Sequence, residues 1–164
     1  EALLATPVRI SEILIGKLVP YFVLGMGGMV VTSVAAVVLF DMPLRGSVVL
    51  LLVFSALYML VALAMGLLIS TAARSQFVAG QIAIITSFLP AFILSGFIFD
   101  INSMPPAIQA ITHIVPARYY LAGVKTLFLV GNITDLLWRQ AAGLFLLGGV
   151  FFLMARRRTR RRLD

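Results

Sequence analysis

Four blocks of the chain, residues 18–40, 48–70, 77–99 and 138–155, run for about twenty residues with no charged residue in their interiors. Arg139 stands only at the very start of the last. A helix rises 1.5 Å per residue, so a block of this length matches the ~30 Å hydrocarbon core of a bilayer. Backbone amides and carbonyls inside lipid have no water to pair with, and an α-helix satisfies them within one segment. The blocks therefore predict an all-α, polytopic membrane helix bundle with four transmembrane helices. The whole chain is 62% hydrophobic and 12% charged. Soluble domains are about half apolar and a quarter charged, so the blocks are not buried cores of a globular protein.

The net charge of +7 has a local origin, because six of the thirteen basic residues are Arg156, Arg157, Arg158, Arg160, Arg161 and Arg162. Nucleic-acid binding is one reading of a basic cluster. This one directly follows a span, which points to orientation in the membrane and contact with lipid headgroups. Arg9, Lys17, Arg74 and the tail 156–164 fall on one side of the bundle, and Arg45, Arg118, Lys125 and Arg139 on the other. The positive-inside rule then puts both chain ends in the cytoplasm. No secretory signal precedes the first span, and Glu1 is not an initiator methionine, so a fragment or trimmed chain is expected.

Residues 103–131 neither span nor read as a loose loop. Asn102 or Ser103 can cap a helix with Pro105 and Pro106 in its first turn, and Ile108, Ile111 and Val115 recur at helical spacing up to Pro116. A second helix over 117–129, closed by Gly131 and Asn132, is too short to cross. Two short helices lying in or dipping into the outer leaflet are expected. Within the third span Ala79, Ala83, Ser87, Ala91 and Ser95 recur every fourth residue. Small residues at that spacing let helix backbones approach where lipid offers no hydrophobic drive. The stripe serves packing inside this chain, or it faces a second subunit or a substrate path. Pro90 removes one backbone hydrogen bond and predicts a kink.

Catalytic and metal constellations are not found. There is no cysteine and one histidine, His113, which rules out a thiolate site and a histidine cluster within one chain. The polar residues noted at membrane depth, Thr32, Ser33, Tyr58, Gln81, Thr86, Ser87 and Ser95, are all uncharged. Proton- and ion-driven transporters usually carry carboxylates or histidine there. Gly16-Lys17 lacks the rest of a phosphate loop. An uncharged pathway suits an apolar or amphipathic substrate moved by energy supplied elsewhere.

The chain opens on EALLATPVRISEILIGKLVP, residues 1–20. Thr6-Pro7 is an N-cap followed by the residue best suited to the first helical position. A helix to about Ile15 would set Arg9 and Glu12 on a polar edge opposite Ile10, Ile13 and Leu14. Gly16 can close it and Pro20 would separate it from the span. Residue chemistry alone leaves an interfacial anchor and a hinged lever equally open.

Two stretches bear on that choice. In the opening segment, Glu1, Leu4, Thr6, Pro7, Val8, Glu12, Gly16 and Lys17 resemble the cytoplasmic segment of permease subunits of type 2 ATP-binding-cassette exporters. In LSGFIFDINSMPPAIQAITHIVPARYY, residues 94–120, the positions Ser95, Gly96, Phe97, Met104, Pro105, Pro116, Arg118 and Tyr119 resemble the family's segment after its fifth span. Asp100 departs from it, standing where many members carry proline. The resemblance implies that these are the last four of six spans, in the C-terminal part of one permease domain. It implies that residues 1–17 form a coupling helix against a separate ATPase subunit, through Glu1, Leu4, Thr6, Pro7, Arg9, Glu12 and Lys17. Gly96, Phe97, Met104, Pro105, Pro116, Arg118 and Tyr119 would belong to an outer gate. ATP and Mg would be bound by the ATPase partner and no cofactor by this chain, with a second permease subunit completing the pump in a bacterial inner membrane. The expected function is export of a small or amphipathic substrate, with no enzyme activity in the chain itself. Its rivals are a lipid-modifying membrane enzyme, for which no interfacial cluster of Asp, His, Ser and Arg is found, and a membrane scaffold or anchor.

Overall fold

The structure, a computed structural model, describes residues 10–161. Within them the chain forms α1 (Ile10–Phe40), α2 (Val48–Ala72), α3 (Gln76–Ala83), α4 (Leu89–Ile93), α5 (Pro106–Thr112), α6 (Pro116–Lys125) and α7 (Thr134–Arg161). Single π-turns, Ile84–Phe88 and Thr126–Val130, join α3 to α4 and extend α6. The described residues contain no strand, and four helical stretches are long and apolar enough to cross a membrane: Glu12–Phe40, Val48–Ala72, Gln76–Ile93 and Thr134–Arg158.

The central element is α2. Its residues Leu51, Phe54, Ser55, Val61, Ala64 and Ile69 are buried, and it packs chiefly on α7, with α1 and α6 against its flanks. One core cluster joins Phe54 and Val61 to Leu144 of α7, with Tyr119 and Tyr120 of α6 packed around it. A second joins Leu51 to Leu127, Phe128 and Leu137. Close approach rests on glycine: a Cβ at Gly148 would meet Val61 Cγ2 at 2.8 Å, and one at Gly143 would meet Tyr119 Cε1 at 2.6 Å. Contact between backbone and side chain replaces the hydrophobic drive that lipid removes. The outward faces, Val31, Val38, Phe77, Phe145 and Leu146 among them, are exposed and apolar, as lipid contact requires.

Three expectations are corrected. The first is a separate amino-terminal helix hinged at Gly16 and Pro20. Instead α1 is one continuous helix from Ile10 to Phe40, with Pro20 inside it. Proline forfeits the bond to the carbonyl four residues back and crowds it, here that of Gly16. Spanning helices commonly keep their course through one such loss. Glu1, Leu4, Thr6, Pro7 and Arg9 lie outside the described residues.

The second concerns the third span, expected to reach Phe99. Its helix ends at Ile93, and residues 94–99 form a series of bends with Gly96 at φ 86°. A left-handed residue cannot continue the helix, and glycine takes that conformation without a Cβ penalty. The interruption expected from Pro90 takes the form of the π-turn just before it, a common way for a helix to absorb a missing donor.

The third concerns the short helices. Neither Asn102 nor Ser103 caps α5. Both belong to a 3-10 turn, Ile101–Ser103, capped by Asp100, and α5 starts at Pro106 behind Pro105. Val115 and Pro116 do not end α5 but open α6, which runs on through its π-turn to Gly131 at φ 115°.

Candidate functional site: the short-helix hairpin and its lateral cavity

The hairpin of α5 and α6 is held by a few polar contacts at its bend. Arg118 donates from Nη1 to the Gln109 carbonyl at 3.3 Å and to Thr112 Oγ1, and lies 3.0 Å from His113 Nδ1. Thr112 is fully buried and in turn donates to the Gln109 carbonyl at 2.6 Å. The Tyr119 hydroxyl donates to the His113 carbonyl at 2.8 Å. One guanidinium nitrogen thus collects acceptors left over at the C-terminal end of α5, where carbonyls lack intrahelical partners.

Six further contacts tie the hairpin to the bundle. Lys125 Nζ donates to the carbonyl of Gly96 at 3.0 Å. Ser55 Oγ and the Tyr120 hydroxyl lie 2.8 Å apart, and Tyr58 stacks on Tyr120 with ring centroids 4.4 Å apart. Burial raises the Tyr120 phenol above its ordinary range, with the Ser55 hydrogen bond acting in the opposite direction. It stays a neutral hydroxyl. At the hairpin's far end the carbonyls of Leu127 and Phe128 accept from the amides of Gly46 at 2.7 Å and Arg45 at 3.3 Å. Asn132 Oδ1 accepts from the Ser47 amide at 2.8 Å. The loop between α1 and α2 is thereby fastened to the end of α6.

The residues expected at an outer gate are brought together only in part. Gly96 meets Lys125, Arg118 and Tyr119 order the bend, and Pro116 is buried at the start of α6. Phe97 lines a cavity beside Lys125. Met104 contributes its carbonyl, which accepts from Gln109 Nε2 at 2.8 Å, and Pro105 precedes α5 on the exposed side. The stripe Ala79, Ala83, Ser87 and Ala91 is half-buried and Ser95 is buried, while most residues between them are exposed. Ala83, Ser87 and Ala91 face Ala62 and Gly66 of α2 and Pro116 of α6 across a small cavity of ≈ 130 Å³. Repeats of four drift by about 40° per step on an ideal α-helix. The extra residue of the π-turn takes back about 100° of that drift, which keeps the stripe on one face.

Two larger cavities flank α2. One, ≈ 530 Å³, lies between α1, α2 and α7 near the Lys17 end and is walled by apolar residues and glycine, among them Leu18, Phe22, Leu67 and Phe152. The other, ≈ 650 Å³, lies between α1, α2 and α6 towards the hairpin end and includes Ser33, Ser55, Tyr58, Tyr120 and Lys125. Ser55 and Tyr120 were not singled out from the sequence. The available signal was the spacing of Ser55 and Tyr58, which puts two polar groups on one face of an apolar helix. Among the described residues no group of three or more His, Cys, Asp or Glu could hold a metal ion.

Residues 1–129, which include both the opening segment and the hairpin, match the family model described as ABC-2 type transporter. The chain belongs to the ABC-2 type transporter family. Among curated members it is 44% identical over its whole length to the probable multidrug ABC transporter permease YbhS of Escherichia coli K12, covering 44% of that protein. It is 28% identical over 85% of its length to the probable multidrug ABC transporter permease YbhR, covering 38% of it. It is also 28% identical over 98% of its length to the inner membrane transport permease YhhJ, covering 43% of that one. The chain thus spans less than half the length of these ABC-2 relatives. No solved structure matches it significantly. The four apolar helices make this ABC-2 chain a multi-pass membrane protein.

Proposed function

We propose that the chain is the C-terminal part of a permease that exports a small or amphipathic substrate, driven by a separate ATPase subunit and paired with a second permease. The observation that carries this reading is the 44% identity, without truncation of this chain, to a protein named a probable multidrug ABC transporter permease. The residues support it physically. No charged residue interrupts the middle of the spans, so no proton or ion relay is on offer, and ATP bound by a partner, with its Mg, would supply the energy.

In this reading the membrane is a bacterial inner membrane. The end bearing Lys17, Arg74 and Arg156–Arg158 is cytoplasmic, and the hairpin of α5 and α6 lies at the outer end. The segment from Glu1 through Glu12 and Lys17 meets the ATPase. Because α1 continues through Pro20, motion applied at Glu12 travels along one helix rather than across a hinge. The Gly96–Lys125 contact and the Arg118 bend form part of the outer gate, and the Ala83, Ser87 and Ala91 face is where the third span slides on α2. Nucleotide can shift such an equilibrium only by favouring one state, so the contacts made around Glu12 differ between the inward- and outward-open forms.

The test is purification of the full-length protein with its membrane partners, in wild-type form and as Glu12→Arg. An ATPase subunit is expected to accompany the wild type, and its activity to rise in the presence of the permease. Glu12→Arg is expected to insert normally and to lose most of that stimulation. Undiminished stimulation in the variant removes the coupling role of this segment, and absence of any nucleotide-hydrolysing partner removes the pump.

A further inference from the structure

We propose that the cavity between α1, α2 and α6 binds a single-chain amphipath with an anionic head, its chain lying along α1 and its head on Lys125. The cavity is ≈ 650 Å³, within the range of small-molecule sites. It follows α1 from Gly25 past Met29 and Ser33 to Ala36, a path of about 16 Å at helical rise. That is a length an extended acyl chain matches.

Most polar groups of this cavity are already committed, the exceptions being the Tyr58 hydroxyl and Lys125. Thr32 donates to the Gly28 carbonyl at 2.8 Å, Ser33 contacts Met29 sulfur at 3.4 Å, and Ser55 pairs with Tyr120. Lys125 uses one of its three donors on Gly96 and is exposed, which leaves two for a ligand. Of the described residues lining the cavity, Lys125 carries the only charge, and no carboxylate is among them. A cationic amphipath would find no counter-charge. A carboxylate, sulfate or phosphate head would gain charge-assisted hydrogen bonds.

Depth agrees with this assignment. Lys125 precedes by less than one turn the carbonyls of Leu127 and Phe128 that hold the loop between α1 and α2, so it stands close to the level where these spans end. A long lysine side chain there keeps its ammonium at the interface while its stem lines apolar surface. The cavity of α1, α2 and α7 has no comparable polar handle. Binding is read with no nucleotide present, so the proposal stands or falls separately from the export reading.

The experiment uses the full-length protein in phosphatidylcholine nanodiscs, with cis-parinaric acid and the corresponding neutral alcohol as fluorescent probes. Wild type is expected to bind the acid about tenfold more tightly than the alcohol, the size of one charge-assisted contact. Lys125→Gln is expected to erase that preference and Lys125→Arg to retain it. Ala36→Phe, which fills the chain's path, is expected to weaken both probes. Equal affinity of wild type for acid and alcohol overturns the proposal, as does a preference that survives Lys125→Gln, or unaltered binding in Ala36→Phe. If Lys125→Gln binds neither probe, Lys125→Arg decides: a restored preference supports the site, and no restoration overturns it.

Discussion

Ser55 Oγ of α2 and the Tyr120 hydroxyl of α6 lie 2.8 Å apart, a hydrogen bond that joins the hairpin to the middle of α2. Ser55 is 1% exposed and cannot turn to water if its partner leaves. An unpaired polar group in an apolar setting costs more than the bond itself contributes. Interhelical hydrogen bonds in membranes nonetheless measure only about 0.6 kcal/mol on average, reaching about 1.7.

Tyr120→Phe is therefore expected to lower stability by about 1 kcal/mol, within the range such bonds span. Ser55→Ala is expected to cost a similar amount, and the double variant clearly less than the sum. A double-mutant cycle on unfolding in mixed micelles reads this directly. Strict additivity would mean that the two hydroxyls are not coupled, and that stacking of Tyr120 on Tyr58 holds the hairpin by itself.

A steric relationship nearby predicts a larger effect. A Cβ on Gly123 would lie within 2.5 Å of Phe54 Cζ, and Phe54 is buried beneath Tyr120 with ring centroids 6.0 Å apart. The ring has no free direction in which to retreat. Gly123→Val should destabilise by about 2–3 kcal/mol, as overpacking does. Gly27 of α1 is the control, because a Cβ there meets nothing within 4 Å. Gly27→Ala should be neutral or stabilise by up to about 1 kcal/mol through helix propensity. Thermal unfolding of the two variants against wild type checks the contrast.

Legibility in the sequence divides along physical lines. The spans of α1, α2 and α7 were readable because lipid demands an uninterrupted apolar length, and that demand is local. The end of the third span was not. Residues 94–99 are largely apolar, yet Leu94 already leaves helical geometry and Gly96 takes a left-handed conformation. The hinge expected at Pro20 failed for the converse reason: one lost backbone bond does not break a helix that lipid otherwise enforces. At the hairpin, Pro105, Pro106 and Pro116 could each start or end a helix, and the contacts that Arg118 makes across the bend are not visible in the sequence pattern. Ser55 was invisible as a site residue because its meaning comes from Tyr120, 65 positions away.

Arg118 is expected to govern the order of α5. Its Nη1 reaches the Gln109 carbonyl, Thr112 and His113, while α5 itself is a seven-residue helix. A helix that short is not stable by propensity alone. Arg118→Ala should raise amide hydrogen exchange over Pro106–Thr112 by about tenfold or more, the loss of a bond to a charged group being worth roughly 1.5–3 kcal/mol. Arg118→Lys should fall between, since an ammonium keeps the charge but not the reach of the planar fork. Exchange in α2 and α7 should not change. Equal protection of α5 in all three proteins would assign its order to the contacts of Met104 and Gln109 instead.

The orientation of the bundle gives the last expectation. Among the described residues Lys17, Arg74, Arg156, Arg157, Arg158, Arg160 and Arg161 fall at one end, and Arg45, Arg118, Lys125 and Arg139 at the other. By the positive-inside rule the excess is expected in the cytoplasm, which would put the α5–α6 hairpin outside. These 164 residues contain no cysteine, so single substitutions report position without a background from this region. Any cysteine elsewhere in the full-length protein would be replaced by serine. Asn102→Cys, in the 3-10 turn before the hairpin, should react with a membrane-impermeant maleimide in intact cells whose outer membrane has been opened. Gln76→Cys, at the start of α3 on the opposite end, should react only after the inner membrane is permeabilised. The reverse pattern would invert the bundle, taking Lys17 and Glu12 away from any cytoplasmic ATPase.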